Sequence, residues 1–266
     1  MASFSVVSNV SAQNAQANLN ITNLGLQKAL TRVSSGLRIN MAGDDAAGLA
    51  VANSYRSQQA VLNQGVRNAN DGLSTLQIKN GALDNISNLL DRMASLATQS
   101  ASAGFTGSRV TLDAEYQAIL SEISREVNVA GLGSAQGFSV FVSNDGVNGT
   151  VGGTIGAADT TTLTVAGTSI TSAANASTAL GAITTAVGAV GTAVGTIGSL
   201  QNRLQYAINL AQYQIVNTKA AESRIRDANM AEESTNLTRY NILTQSGLAA
   251  LAQANQQGSA VLGLLR

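Results

Sequence analysis

The 266-residue chain contains no cysteine, histidine, proline or tryptophan. Without cysteine it forms no disulfide and has no thiolate for metal binding or nucleophilic catalysis. Without histidine it lacks the commonest general base and the commonest metal ligand. We therefore expect no enzymatic activity, no catalytic or metal-ligating residue and no cofactor. The absence of proline leaves no residue that would break a long helix.

Charge is also scarce. Only 11% of the residues are charged, against about 25% in an ordinary globular protein. The 15 basic and 15 acidic residues cancel, so no basic face is expected that could neutralise phosphates. The composition therefore argues against a nucleic-acid partner.

Two long segments carry apolar residues at seven-residue spacing, each with a second row beside the first. The first segment contains Leu62, Ala69, Leu76, Leu83, Leu90 and Ala97, with Val66, Leu73, Ile86 and Met93. The second contains Ile183, Val190, Ile197, Leu204, Ala211, Thr218 and Ile225, with Val187, Val194, Gln201, Ile208 and Ile215. Such a sustained repeat predicts coiled-coil packing. At 1.5 Å per residue it gives two helical rods, each roughly 70–80 Å long, packed side by side.

One stretch of the second rod is rich in glycine, with near repeats at 186–192 and 193–199. Each glycine inside a helix costs about 1 kcal/mol relative to alanine. We therefore expect either that neighbours pack closely against the bare backbone or that the helix begins later. The segment Leu180–Leu200 is uncharged and long enough to span a bilayer. Thr, Ser and Gly dilute it, and its heptad pattern favours packing on another helix over membrane insertion.

The middle of the chain has a different character. After Glu126 only Asp145 and Asp159 are charged before Arg203. The runs Phe138–Val142 and Thr161–Val165 predict two short strands, and the Asn-Asp-Gly sequence at 144–146 predicts a turn after the first strand. We expect a small β region here.

Both chain ends carry a third pattern, with alternating steps of four and three residues. The N-terminal seam contains Leu19, Asn23, Leu26, Leu30, Val33 and Leu37. The C-terminal seam contains Leu237, Asn241, Thr244, Leu248, Leu251, Asn255, Gly258, Leu262 and Leu265. A polar residue at a core position lowers stability but fixes register, and such helices are marginal in isolation. The ends are therefore expected to order only on finding partners, which indicates assembly.

Five motifs occur in a characteristic order. They are Arg32–Asn40 (RVSSGLRIN), Asp44–Gly48 (DDAAG), Arg67–Gly72 (RNANDG), Leu251–Gln256 (LAQANQ) and Leu264–Arg266 (LLR). In this order they closely resemble bacterial flagellin, the filament subunit of the flagellum. The resemblance covers about 1–130 and 198–266, and it is that of a short flagellin without a large central variable domain.

The resemblance implies a mainly α fold, with long antiparallel coiled-coil helices from both chain ends and a small β-hairpin region in the middle. The implied domains are a terminal coiled coil in the filament core (1–40 with 230–266), a helical-rod domain in the outer tube (41–131 with 176–229) and a surface-facing β/loop region (132–175). Asp44 and Asp45 lie where a helix should start, and we expect them to satisfy its free amide groups.

The implied function is a secreted, extracellular structural protein that polymerises with itself into a helical filament for swimming motility. The implied partners are the flagellar export apparatus, an export chaperone and the filament cap. One alternative is a flagellin-like hook–filament junction protein, which would form short rings instead of long polymers. Another is a membrane-inserting translocator, which would rest on Leu180–Leu200.

The resemblance also implies site residues. The residues expected to pack between subunits are Leu19, Leu26, Leu30, Val33, Leu37, Leu237, Leu248, Leu251, Asn255, Leu262 and Leu265. We expect Leu251 to be buried and Asn255 to fix the register. A host Toll-like receptor is a further implied partner, with Arg92, Leu96 and Glu115 at the family's contact positions. Ile119 stands where receptor-binding flagellins have a basic residue.

Overall fold

The computed structural model describes residues 8–263, and the side chains of residues 8–256 except Val147. This part of the chain contains five α-helices, one two-stranded sheet and a short 3₁₀ helix. The helices are α1 (Val10–Ser35), α2 (Ala46–Ala101), α3 (Arg109–Ala130), α4 (Ala173–Arg226) and α5 (Met230–Gly263), and the strands are β1 (Gln136–Phe141) and β2 (Thr150–Ile155). The mainly α fold with a central hairpin confirms the predicted fold class.

The chain forms two compact units. One comprises Gln58–Val216, and the other takes in residues 8–57 and 217–263 of the described chain. The long helices α2 and α4 each contribute to both units. The domain boundaries expected from the sequence, near residues 40, 131, 175 and 229, stay a prediction.

The helix ends follow from local sequence. Asn9 caps α1 by accepting a hydrogen bond from the amide of Ala12, and Gly36, with φ of 71°, ends it in the left-handed conformation that glycine adopts freely. Asp45 accepts from the amide of Gly48 at 2.9 Å, three residues into α2. The expected role at the start of a helix is confirmed for Asp45 but wrong for Asp44, whose carboxylate accepts from the amides of Asn40 and Met41 before α2.

In the unit formed by residues 58–216, buried residues recur along α2 at steps of three and four residues. This stripe consists of Leu62, Gly65, Ala69, Gly72, Leu76, Lys79, Leu83, Ile86, Leu90, Met93, Ala97 and Ser100, and Ala82 and Leu96 are buried beside it. The predicted first row is confirmed. The second row is corrected in its first half, where Gly65 and Gly72 are buried while Val66 and Leu73 are only half-buried. A search for apolar side chains overlooks a glycine at a core position.

The same correction applies to α4. Its buried residues are Ala176, Ala179, Ile183, Ala186, Val190, Ala193, Ile197, Leu200, Leu204, Ile208 and Ala211. The second row therefore lies three residues after the first, at Ala179, Ala186, Ala193 and Leu200, and Val187 is 39% exposed. After Leu204 the step lengthens to four and Ile208 is buried as predicted. The buried residues of α2, α3, α4 and the hairpin form one core.

Neither expectation for the glycine-rich stretch is correct. Helix α4 begins at Ala173, before the glycines. Five positions have open space where a Cβ would lie, with no atom within 4 Å: Gly181, Gly188, Gly191, Gly195 and Gly198. These glycines lie on the side of α4 away from its buried rows, so no neighbour within the described chain packs against them.

The hairpin pairs β1 with β2 in antiparallel register, from Gln136 opposite Ile155 to Phe141 opposite Thr150. The predicted first strand and the turn after it are confirmed. The predicted second strand, Thr161–Val165, is wrong, because this segment is a turn in which Thr164 has φ of 61°. The true partner strand, β2, contains two glycines, which weaken its strand pattern in the sequence.

Polar side chains hold the turn segment on the helices. The Ser100 hydroxyl donates to the carbonyl of Ile170 at 2.6 Å, and the Asp113 carboxylate accepts from the Ile170 amide at 2.7 Å. The Tyr116 hydroxyl lies 2.7 Å from that of Thr168. Leu163, Val165 and Ile170 are buried as a result.

The hairpin docks on α2 and α4. A Cβ on Gly65 would overlap the carbonyl oxygen of Val142, and one on Gly72 would lie 2.7 Å from Val140 Cγ2. Asn68 Nδ2 donates to the carbonyl of Phe141 at 3.1 Å. From the other side, Arg203 donates to the carbonyl of Gly152 at 2.9 Å. The two glycines of α2 thus let the hairpin backbone approach the helix closely.

Candidate subunit-packing surface

Helices α1 and α5 form an antiparallel pair. Leu19 packs at Gly247, where a Cβ would lie 3.1 Å from Leu19 Cδ1, and the ring of Tyr240 covers Gly25. Further along, Arg32 Nη1 donates to Glu233 Oε1 at 2.9 Å. At the far end Asn9 Nδ2 donates to the carbonyl of Ala254 at 2.8 Å. The two chain ends therefore pair within one subunit.

The seam between these helices contains only part of the predicted packing set. Five of the predicted residues lie in this seam and are half-buried: Leu19, Leu26, Val33, Leu237 and Leu251. Leu30 is 56% exposed and Leu248 54% exposed, and Asn255 is exposed as well. Small residues occupy the intrachain seam beside them, since Ala29 and Ala254 are buried.

Three predicted residues lie outside this seam. Leu37 follows the end of α1 and pairs with Asp227 as an isolated β-bridge, because Gly36 turns the chain out of the helix. The Leu262 side chain and the whole of Leu265 lie outside what the structure describes. The part that any of the eleven residues plays between subunits stays a prediction.

The outer faces of the pair carry exposed apolar residues. Large exposed apolar residues on α1 and α5 are Val10, Ile21, Leu24, Leu30, Met230, Ile242, Leu243 and Leu248. Single exposed apolar residues are normal, but a set along both helices of one pair marks a contact surface. This surface, named here the terminal-pair surface, has no cover within the described chain.

An ion pair fixes α1 to the linker that follows it. Lys28 Nζ lies 3.1 Å from Asp44 Oδ1, and Asp44 also accepts from the amides of Asn40 and Met41. The hydrogen bond from Lys28 is the largest cause that lowers the pKa of Asp44 below its ordinary value of 3.8. The ionised carboxylate of Asp44 therefore holds the linker in its folded conformation.

The linkers from both halves of the chain are joined by backbone hydrogen bonds. The amide of Arg38 donates to the carbonyl of Arg226 at 2.7 Å, and the amide of Ala228 donates to the carbonyl of Gly36 at 2.9 Å. The guanidinium of Arg38 donates to the carbonyl of Ile225 at 2.9 Å. These hydrogen bonds hold the two linkers together.

The structure exposes two of the three expected receptor contacts and buries the third. Arg92 and Glu115 are exposed on α2 and α3, and Arg92 Nη2 donates to Glu115 Oε1 at 2.6 Å. Leu96 is 2% exposed and belongs to the core. Its side chain is therefore not available to a partner in this structure.

No group of three or more acidic side chains among the described residues is arranged to hold a metal ion. One described helix, α4, is long and apolar enough to cross a membrane by length and composition, with a mean hydropathy of 1.6 in its most apolar window. A single helix of this kind is weak evidence, and α4 supplies eleven buried residues to the helical core.

Comparison with known proteins decides the family. Residues 6–133 match the model of the bacterial flagellin N-terminal helical region, and residues 180–265 match that of the C-terminal helical region. The chain belongs to the flagellin family. A flagellin of Halalkalibacterium halodurans is 40% identical over 97% of this chain and 98% of its own length.

Other relatives agree with this flagellin in length as well as sequence. The flagellar filament 33 kDa core protein of Treponema phagedenis is 36% identical and a flagellin of Bacillus subtilis 32% identical, each over 97% of this chain and 98% of its own length. A crystal structure of Bacillus cereus flagellin matches 59% of this chain and 94% of its own at 29% identity with a TM-score of 0.48, and the family assignment does not rest on it. The chain is thus a short flagellin without a large central domain.

Proposed function

We propose that this flagellin is the repeating structural subunit of a bacterial flagellar filament, and that it acts by polymerising with copies of itself. The observation that carries the proposal is the terminal-pair surface, where large apolar side chains are exposed on both helices of the pair. Covering exposed apolar area is favourable by about 25 cal/mol per Å². Because flagellins form filaments, we take the partner that covers this surface to be another copy of the chain.

The proposal extends to the subunit-packing residues. Leu30 and Leu248 are exposed within one chain, so both are free to meet another subunit. The half-buried Leu19, Leu26 and Leu251 instead support the intrachain pair on which this surface is built. Asn255 is exposed, so any register that it fixes is between subunits.

Export and location form part of the same proposal. A filament subunit has to leave the cell, so we include secretion through the flagellar export apparatus, an export chaperone and a filament cap as partners. The absence of cysteine and proline supports this, because such a chain forms no disulfide and has no slow prolyl isomerisation step when it refolds. Host Toll-like receptor contact would rest on Arg92 and Glu115 alone.

Electron microscopy of the purified chain tests the function. We expect long helical polymers from the wild-type protein and none from a variant that lacks residues 248–266, because α1 then loses half of its partner helix. Circular dichroism should show that the rest of this variant stays helical. Rings or monomers from the wild-type protein would favour the junction-protein alternative, and leakage of liposomes would favour the translocator.

A further inference from the structure

Helix α4 carries an exposed stripe within the unit formed by residues 58–216. The stripe consists of Arg203, Tyr206, Leu210 and Tyr213, spaced by three, four and three residues, so these side chains share one helix face. The three apolar members are 75%, 59% and 71% exposed. No other charged residue follows Arg203 before Lys219.

A second exposed surface lies on α3 and the adjoining part of α2, and we name it the α3 patch. Val129 is 73% exposed and Ile78 69% exposed, and they flank a contact in which Lys79 Nζ donates to the carbonyl of Ala130 at 3.2 Å. Glu122 and Glu126 precede Val129 on the same face of α3. Arg125 contacts both carboxylates, so this cluster of three carries one excess negative charge, while the Lys79 ammonium lies at the other end of the patch.

We propose that, in the polymer, the α4 stripe of one subunit packs on the α3 patch of a second copy of this chain. Arg203 then lies at Glu122 and Glu126, and the tyrosines and Leu210 cover Val129 and Ile78. This contact rests on the proposed function and specifies one of its interfaces. Each surface runs from a charged end to an apolar end, and the two charges are opposite in sign.

The directions of the helices agree with such a contact. Arg92 pairs with Glu115 and Asn85 with Glu126, so α3 runs antiparallel to α2. The contact of Ser100 with Ile170, just before α4, and the closeness of Gly72 to Leu204 show that α4 also runs antiparallel to α2. Helices α3 and α4 therefore share a direction, and equally oriented copies can align the two surfaces charge to charge.

The contact also predicts a displacement between neighbours. Glu126 lies level with Asn85 of α2, whereas Leu204 lies level with Gly72. These α2 positions are 13 residues apart, which is about 20 Å along a helix.

Because the two surfaces differ, the contact is heterologous and propagates into an open polymer instead of closing as a dimer. Exposed tyrosines and few charges are typical of interface centres.

Cysteine cross-linking tests the contact directly, since the chain has no cysteine of its own. Filaments grown from a mixture of the Leu210→Cys and Val129→Cys variants should give covalent dimers of one variant with the other under a short thiol cross-linker. The control pairs Leu210→Cys with Val110→Cys, which is 72% exposed at the start of α3, and should give none. Absence of the mixed dimer in filaments, or dimers of Leu210→Cys with itself, would overturn the proposal.

A second measurement uses the variant Y206Q/L210Q/Y213Q, with V110Q as its control. Both should keep the wild-type helical content as monomers, because the substituted side chains are exposed. The triple variant should raise the critical concentration for polymerisation at least tenfold, and V110Q should leave it unchanged. A wild-type critical concentration for the triple variant would refute this interface. Failure of the wild-type chain to polymerise would instead refute the proposed function itself.

Discussion

Gly65 of α2 and Val142, just after β1, approach so closely that a Cβ on Gly65 would overlap the Val142 carbonyl oxygen. Because that oxygen belongs to the backbone, rotation of a side chain cannot relieve the overlap. We expect Gly65→Ala to displace the hairpin and to lower the free energy of unfolding by about 1–3 kcal/mol, as overpacking does in cores. Urea unfolding of the monomer, followed by circular dichroism, measures the change.

Gly81→Ala is the matched control on the same helix. No atom lies within 4 Å of a Cβ at this position, so the substitution gains helix propensity of up to about 1 kcal/mol without a clash. Equal stability of the two variants would show that the hairpin is not held against Gly65.

The open glycines of α4 lead to the opposite prediction. Gly188→Ala meets no atom within 4 Å and should raise the free energy of unfolding of the monomer by about 0.5–1 kcal/mol, because alanine has the higher helix propensity. The same unfolding experiment measures it. A loss of stability would mean that a neighbour does pack on this face, as one of the two expectations from the sequence had it.

The sequence predicted the helices well because large apolar residues at seven-residue spacing leave few other structures. It missed two features for physical reasons. Gly65 and Gly72 are buried because they let the hairpin approach the helix. A search for apolar side chains does not find them, because glycine has no side chain. The break between α2 and α3 has a local signal, Gly104 and Gly107 followed by the capping residue Ser108, but this short signal lies between two helical patterns.

The candidate site was predicted less completely. Pairing of the two chain ends follows from their apolar periodicity, but the face that each helix turns inward depends on small residues. Ala29, Gly247 and Ala254 lie in or beside the intrachain seam, and this moves Leu30 and Leu248 outward. Large apolar residues on two faces of one helix cannot be divided by sequence into those that pack within a chain and those that pack between chains.

Asp44 gives a prediction for pH. Its pKa is lowered in the folded chain, chiefly by the hydrogen bond from Lys28. A lowered carboxyl pKa stabilises the fold above the ordinary pKa, and this contribution is lost as pH falls through the folded value. Asp44→Asn filaments should therefore melt at a lower temperature than wild-type filaments at pH 7, and the gap should close as the pH falls below the ordinary range of an aspartate.

Asp91→Asn is the control for this experiment, because Asp91 is an exposed carboxylate on α2. The melting temperature of Asp91→Asn filaments should equal that of wild-type filaments at pH 7 and at acid pH. A difference between Asp44→Asn and the wild type that stays constant down to acid pH would show that the charge of Asp44 does not hold the linker.

Leu251 and Leu248 separate packing within a subunit from packing between subunits. Leu251→Ala should weaken the α1–α5 pair by about 2 kcal/mol, the lower end for a buried leucine, since it is half-buried. Leu248→Ala should leave that pair intact and reduce polymer yield, because Leu248 is 54% exposed in one chain. Sedimentation of polymers and limited proteolysis of the ends measure the two effects.

Gln245→Ala, at an exposed polar position of α5, controls for substitution on this helix and should assemble like the wild type. If Leu248→Ala also sediments like the wild type, Leu248 does not pack between subunits.

A helical reconstruction of the polymer formed by the purified chain tests the central claim, that the terminal-pair surface packs between copies, most directly. The account predicts a long filament in which neighbouring copies cover Leu30 and Leu248. A polymer in which these leucines face solvent, or a purified chain that forms no long polymer, would contradict it.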